Sequence, residues 1–234
     1  MYLSLIRQPL ATKKNKMKKK CFIFDLDGVI VDTAKYHYLA WKSIAKYFGI
    51  DFTMEQNEEL KGVSRKNSLE KIIKWGNISL SKAKFENAMI AKNKKYLEYI
   101  SKIDSSEILA DVDRVLKFLI AKNQIISLGS ASKNARPILK KLKLLKCFDF
   151  IVDGNDITSA KPDPEIFIKS AKLSQCDPSD CFVFEDSIAG ITAANNANMT
   201  SIGMGDNNIL KNATFNFENF KGISNQFLLN LIEK

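Results

Sequence analysis

The spacing of apolar residues changes character along this chain. Cys21-Phe22-Ile23-Phe24 is a short, unbroken apolar run, the pattern of a strand buried on both faces of a parallel sheet rather than of an edge strand. From Ala34 to about Ile103 the spacing is helical, and no strand pattern interrupts it. Leu39, Ile44, Ala45 and Phe48 recur at three- and four-residue intervals before Gly49, which predicts a helix over 34–48 with a glycine stop. Further helices are predicted over 54–60, over 65–75 behind Ser64 as N-cap, and from Ser81 to about Lys102. From Ser105 helix and strand patterns alternate: helix 111–122, strand 124–129, helix 135–145, strand 149–153, helix 164–173, strand 181–185, helix 187–197 and strand 200–203. The closing SNQFLLNLIEK reads as a last helix.

Alternation of this kind predicts an α/β fold, a Rossmann-like doubly wound parallel sheet. Between the end of its first strand at Asp25 and the end of its second at Ser130 lie 105 residues. A single βαβ crossover needs about 30 or somewhat more. The helical stretch is therefore an insertion. The expected organisation is a basic flexible extension over 1–20, an α/β core over 21–33 and 104–234, and an all-helical cap domain over 34–103 joined to the core by two hinges.

Charge alters this picture only at the start. Arg7 and six lysines within residues 1–20, with no acid, supply +7 of the net +10 and leave +3 for the remainder. The lead has too short an apolar core and the wrong charge order for a secretory signal, and Met17 is an alternative first residue. Its basic run is a generic attraction for nucleic acid, and that alone would carry a nucleic-acid-binding reading. No run of about 18 apolar residues is present, so no membrane span is read. Cys21, Cys147, Cys176 and Cys181 form no CxxC pair and no zinc set with the single histidine, which suits reduced thiols in a cytoplasmic protein.

Candidate chemistry sits at the predicted strand ends, which converge in a parallel sheet. Asp25 and Asp27, two residues apart on extended chain, face one side; the same residues also read as an Asp-Gly turn. Ser130-Ala131-Ser132-Lys133-Asn134 offers a hydroxyl and backbone amides at a helix start, a phosphate cradle or a plain cap. Lys161 lies in AKPDP, where Asp163 suits a cap and Pro164 the first helical position; it reads either as a counter-charge or as one solvated lysine among many. Glu185-Asp186-Ser187 ends the 181–185 strand, as further carboxylates at the site or as an acidic helix start with Ser187 as cap. Taken together these groups describe phosphoryl transfer. Asp25, Asp186 and Glu185 with a backbone carbonyl suit Mg²⁺, Asp25 suits the nucleophile, and Asp27 suits proton transfer. Lys161 and the Ser130 region suit the phosphoryl oxygens.

DLDGVIVDT, GSAS, KPDP and FEDS, in that order, resemble the four motifs of the haloacid dehalogenase superfamily of aspartate-based phosphotransferases. In the cap, TAKYHYLAWK and LKGVSRKNSLEKI are similar to its sugar-phosphate mutases, which interconvert β-glucose 1-phosphate and glucose 6-phosphate through an aspartyl-phosphate and a glucose 1,6-bisphosphate. The resemblance spans about residues 20–205. It implies Asp25 as nucleophile, Asp27 as general acid/base, and Mg²⁺ held by Asp25, the Asp27 carbonyl and Asp186 with Glu185 close by. It further implies Ser130, Ala131 and Lys161 at the transferring phosphate, and Arg65 with Ser132, Lys133 and Asn134 at the distal one. Thr33, His37 and Lys61 would couple closure to Asp27, while Trp41, Gly62, Val63 and Ser68 would face or support the sugar. The cap residues also have plain readings: His37 and Trp41, four apart, as one helical interface, and Lys61-Gly62 as a helix end. Ala160 lacks a hydroxyl before Lys161. The implied protein is a monomer acting on small sugar phosphates, with no nucleic-acid or membrane partner. A Mg²⁺-dependent sugar-phosphate or small-metabolite phosphatase of the same superfamily is the alternative.

Overall fold

The computed structural model describes residues 19–234, so the expected basic extension up to Lys18, Met17 included, lies outside the described residues. Strand β1 (Cys21–Phe24) sits near the middle of a six-stranded, wholly parallel sheet. With β2 (Ile125–Gly129), β3 (Phe150–Val152), β4 (Cys181–Glu185), β5 (Thr200–Met204) and β6 (Phe215–Phe217) the order is β3-β2-β1-β4-β5-β6. The chain thus steps outward from β1 on one side, then returns to β4 and steps outward on the other. That reversal lies between β1 and β4, where a doubly wound sheet opens a crevice at its carboxyl edge.

The apolar run of β1 serves both faces of the sheet by simple alternation. Phe22 and Phe24 pair in register with Phe182 and Phe184, stacking at 5.1 and 4.5 Å between ring centroids. Cys21 and Ile23 join Cys181 and Val183 on the opposite face. All four residues of β1 are fully buried.

Between β1 and β2 the predicted insertion holds α1 (Ala34–Tyr47), α2 (Met54–Glu58), α3 (Arg65–Trp75) and α4 (Lys82–Ile100). Ser64 and Ser81 cap α3 and α4, accepting from the amides of Asn67 and Lys84, and Thr53 with Gln56 forms a capping box on α2. These helices enclose their own core around Trp41, Phe52, Leu69 and Ile72, while Tyr96 and Ile100 of α4 pack into the core beneath the sheet. The two connecting segments lie side by side. Asp32 N donates to Glu107 O (2.8 Å), Leu109 N to Ile30 O (3.0 Å), and Val31 bridges Ile108 in antiparallel fashion. Glu107 also accepts from Tyr36 Oη (2.7 Å) and pairs with Lys35 (2.7 Å), so one side chain clasps the start of α1.

After the insertion, α5 (Val112–Ala121), α6 (Ala135–Lys141) and α9 (Asn225–Glu233) cover the phenylalanine face, and α7 (Glu165–Ser174) and α8 (Ile188–Asn196) cover the other. Among the described residues no helix is long and apolar enough to cross a membrane.

Three expectations change in detail. The helix expected over 135–145 stops at Lys141, because Lys143 turns left-handed (φ 60°) and Leu144 N bonds back to Leu139 O; Leu145–Cys147 is a separate 3₁₀ turn. Pro164 occupies the N-cap of α7 rather than its first turn, and Asp163 accepts from Glu165 N (2.9 Å) one position early. The tail also contributes β6, an unpredicted edge strand whose three residues are only half-buried. Because Phe24 meets Phe148, Phe184 and Phe220 at once, Phe24→Ala should lower stability by about 3–5 kcal/mol in denaturant-induced unfolding.

Candidate active site

Where β1 ends, the backbone still pairs once, Asp25 N donating to Phe184 O (3.0 Å), and then turns back through Gly28 N to Val31 O and Ile30 N to Leu26 O. Gly28 has φ 85°, and a Cβ there would lie 2.1 Å from Asp186 Oδ2. Glycine lets the Asp186 carboxylate from the end of β4 press onto the loop that carries Asp25 and Asp27. The Asp-Gly turn and the carboxylate site are therefore one feature.

Lys161 is no solvated lysine. Its side chain has no exposure, and Nζ donates to Asp25 Oδ1 (2.6 Å), to Gly129 O (3.1 Å) and to Glu185 Oε1. Burial alone would push its pKa down, but Asp25 and Glu185 outweigh that and hold it above the ordinary ammonium value. Asp25, 6% exposed, is pushed up to about 7 by burial against the pull of Lys161, with Glu185 and Asp27 adding to the rise. Glu185 spends its second oxygen on Ser187, accepting from both N (3.0 Å) and Oγ (2.9 Å). Ser187 in turn caps α8 through Gly190 N, as its plain reading expects. With both oxygens engaged, Glu185 stands behind Asp25 and Asp186. Asp186 is pushed well above the ordinary carboxylate range, by burial first and by Glu185 next.

Asp27 lies between core and insertion. Thr33, fully buried at the N-cap of α1, donates its hydroxyl to Asp27 Oδ1. One turn on, His37 Nε2 faces the same oxygen at 3.8 Å. Burial, then Lys92 and Arg65, push His37 well below its ordinary pKa, so the ring is neutral. Lys92 Nζ lies 2.9 Å from His37 Nδ1, and Nε2, buried and without a hydrogen-bond partner among the described residues, is turned towards Asp27. Burial raises the pKa of Asp27, while the Thr33 hydrogen bond and Lys92 restrain the rise, a setting suited to a group that must hold and release a proton.

Lys92 was not found from the sequence. It is 2% exposed, its ammonium 4.9 Å from the Trp41 ring and 4.8 Å from that of Tyr96. Burial and Arg65 bring its pKa down to about 7, with Asp27 pulling back. Asn93 was missed as well. Its Oδ1 accepts from Arg65 Nη2 of the insertion (2.7 Å) and from Asn134 Nδ2 of the core (3.0 Å). In KNKKY these two look like any polar stretch of a surface helix; the only cue is their helical spacing from Tyr96 on the apolar side.

After β2 the cradle residues fold on themselves. Ser130, 1% exposed, accepts from Ser132 N (3.2 Å) and does not cap α6; Ser132 Oγ accepts from Asn134 N (3.3 Å), and Asn134 holds the N-cap position. The loop after β3 braces this turn. Gly154 N donates to Ser132 O (3.3 Å), Asn155 Nδ2 to Lys133 O (3.1 Å), and Arg136 ties buried Asp153 to Asp156.

All of this opens on a cavity of about 870 Å³, within the usual size of small-molecule sites. Asp25, Asp27, Asp186 and Ser130–Asn134 line one wall, and His37, Trp41, Lys61, Gly62, Val63, Arg65 and Ser68 line the other. Thr33, Lys161 and Glu185 support that wall from behind. Lys61 Nζ reaches Asp186 Oδ2 at 3.6 Å and Glu58 at 2.8 Å. Gly62, at φ 70°, passes so near Ser187 that a Cβ would lie 2.6 Å from its hydroxyl.

A family model of haloacid dehalogenase-like hydrolases matches residues 22–204. The β-phosphoglucomutase of Bacillus subtilis is 43% identical over 191 residues, covering 80% of this chain and 83% of that protein. The fructose-1-phosphate phosphatase of Escherichia coli is 30% identical over 180 residues, covering 77% and 93%. A crystal structure of β-phosphoglucomutase from Clostridium difficile superposes with a TM-score of 0.88 at 40% identity, covering 92% of this chain and 98% of that one.

The buried amine of Lys92 makes a prediction about pH. Folding lowers its pKa from 10.5 to about 7, so above pH 7 the unfolded chain holds a proton that the folded one has released, and stability gains from this group as pH rises towards 10. Between pH 7 and pH 9 the stability of the wild type should rise by about 2 kcal/mol relative to Lys92→Met, measured as the difference between their unfolding curves.

Proposed function

The chain belongs to the haloacid dehalogenase-like hydrolase family, and we propose that within it the protein interconverts β-D-glucose 1-phosphate and glucose 6-phosphate, as a β-phosphoglucomutase does. The observation that carries this reading is the pair of anion-gripping places in one cavity. Lys161 and Ser130 flank Asp25, while Arg65 and the Ser132–Asn134 turn meet across the cavity on Asn93. A phosphatase needs one such place; a mutase passing through a bisphosphate needs two.

The residues at hand serve a balanced cycle. With the phosphoryl group on Asp25, the sugar 6-hydroxyl attacks phosphorus; the new O–P bond forms, the Asp25–phosphate bond breaks, and Asp27 takes the hydroxyl proton. The bisphosphate turns end for end, Arg65 and the Ser132–Asn134 turn exchanging one phosphate for the other. Asp25 then attacks the 1-phosphate while Asp27 returns its proton to the anomeric oxygen, releasing glucose 6-phosphate. Neutral His37, Thr33 and Lys92 set the proton affinity of Asp27. The insertion, resting on the strand ends, excludes water while Asp25 carries phosphate.

Among the described residues no three His, Cys, Asp or Glu side chains form a ready-made metal cage. Mg²⁺ needs less, since it keeps several waters and is held by one or two carboxylates and substrate phosphate. Asp25 and Asp186 with the Asp27 carbonyl fit that demand, for the carboxylates outnumber their buried cations and Asp186 strains towards protonation. The ion would supply the positive charge that lets a phosphate dianion approach Asp25.

Supplied with β-glucose 1-phosphate and a trace of glucose 1,6-bisphosphate, the enzyme should form glucose 6-phosphate well in excess of free phosphate. Dominant release of phosphate would instead assign it to the sugar-phosphate phosphatases. Asp25→Asn should abolish phosphoenzyme and reduce turnover by on the order of 10³-fold or more. Arg65→Ala should slow the bisphosphate half-reaction by roughly 10–100-fold while affecting simple phosphate release less; equal losses would remove Arg65 from the distal grip.

A further inference from the structure

Arg65, Asn134 and Lys61 reach the cavity already held within the protein, the first two by Asn93 and the third by Glu58 and Asp186. Three neutral groups on the wall formed by the insertion are not so held. Asn57, 5% exposed, and Trp41 and Ser68, each 2% exposed, all line the cavity. Among the described residues the Asn57 carboxamide, the Trp41 indole N–H and the Ser68 hydroxyl have no hydrogen-bond partner. The main chain of Asn57, by contrast, is fixed on both sides: its N donates to Thr53 O (3.2 Å) and its O accepts from Leu60 N (3.0 Å), directly after the capping box of α2. Leu60 and Lys61, three and four residues on, line the same cavity, so one side of this turn faces it. An amide held firmly by its backbone and bonded to nothing through its side chain does not help the chain to fold, because its burial costs free energy that no partner offsets.

Resting on the mutase reading above, we propose that Asn57 is a specificity-determining residue whose carboxamide hydrogen-bonds the ring hydroxyls of the hexose. In the bisphosphate both ends of the sugar carry phosphate, and the two anion-gripping places take them. What remains between them are the neutral hydroxyls on C2, C3 and C4, each a donor and an acceptor. A wall that recognises these is neutral and polar on an apolar ground. Asn57, Trp41 and Ser68 make such a wall with Leu60 and Val63. Of the three polar groups Asn57 has the widest range: an indole N–H only donates, whereas a carboxamide brings two donors and an oxygen acceptor. That range suits an intermediate that turns end for end, since different hydroxyls come to the same place in the two half-reactions. A sugar without the hydroxyl leaves the amide buried and unmet, and discrimination against that sugar follows from the penalty.

The test compares the full-length wild type with Asn57→Leu and Asn57→Ala, in thermal unfolding and in steady-state kinetics on β-glucose 1-phosphate and its 2-, 3- and 4-deoxy analogues, with Mg²⁺ and a trace of glucose 1,6-bisphosphate present. Asn57→Leu should unfold at or above the wild-type temperature, because no hydrogen bond within the protein is lost, while its kcat/KM for β-glucose 1-phosphate falls roughly 10–100-fold. For at least one ring position, the wild-type preference for the parent sugar over the deoxy analogue should shrink by about the same factor in both variants, since the hydroxyl and the amide act as a pair. Asn57→Ala carries the comparison if Asn57→Leu does not fold. The proposal is overturned if both variants keep the wild-type preference at all three hydroxyls, or if both fail to fold, which would make Asn57 structural. Consumption is counted as glucose 6-phosphate plus free phosphate. Free phosphate as the main product of the wild type would overturn the mutase reading, and the hydroxyl preference would still decide the role of Asn57.

Discussion

A single ammonium group with no access to water ties together three neighbouring strand ends. Lys161 reaches the carboxylate after β1, the last carbonyl of β2 and the carboxylate ending β4. Removing three charges from water costs several kcal/mol for each, recovered only when every partner is in place. The arrangement consequently admits no partial version: if the loop carrying Lys161 moves, two buried carboxylates lose their counter-charge together. The position of Asp25, the order of the sheet and the turn at Ala160–Asp163 are thereby parts of one electrostatic requirement.

The insertion imposes a second requirement of the same kind on Asp27. Its hydrogen-bond donor Thr33, the neutral imidazole of His37 and the buried amine of Lys92 all lie at or beyond the first hinge. Asp27 is anchored in the core, yet beyond burial itself the strongest influences on its proton affinity, Thr33 and Lys92, come from the insertion. The seating of the helices therefore bears directly on that one carboxylate.

The strand ends were legible in the sequence because the chemistry there needs residue types that a strand terminus otherwise has little use for: paired aspartates before glycine, lysine within a proline turn, adjacent acids after an apolar strand. The helical insertion was legible from chain length, since one crossover cannot occupy 105 residues. Lys92 and Asn93 were not, because helical periodicity marks apolar positions and says nothing about a lysine buried against His37, Trp41 and Tyr96. Strand β6 escaped because three half-buried residues at a sheet edge carry too little alternation to register. The end of α6 escaped because the apolar residues from Leu142 to Phe148 continue a helical rhythm that the backbone breaks at Lys143. Ser187 caps α8 beside the buried carboxylates of Glu185 and Asp186, and the Asp-Gly turn carries both Asp25 and Asp27 to the cavity, so the plain readings do not exclude a site there.

The clasp between the two connecting segments has a mechanical consequence. Two independent flexible linkers would let the helical unit slide, twist and tilt over the sheet, and each of those freedoms would have to be lost whenever the cavity shuts. Here Asp32 and Leu109 pair the segments across a short antiparallel bridge, and Glu107 grips Lys35 and Tyr36 at the first turn of α1. The linkers behave as one ribbon, and a ribbon bends easily in only one direction. Any displacement of the helices relative to the strand ends must carry both linkers together with the first turn of α1.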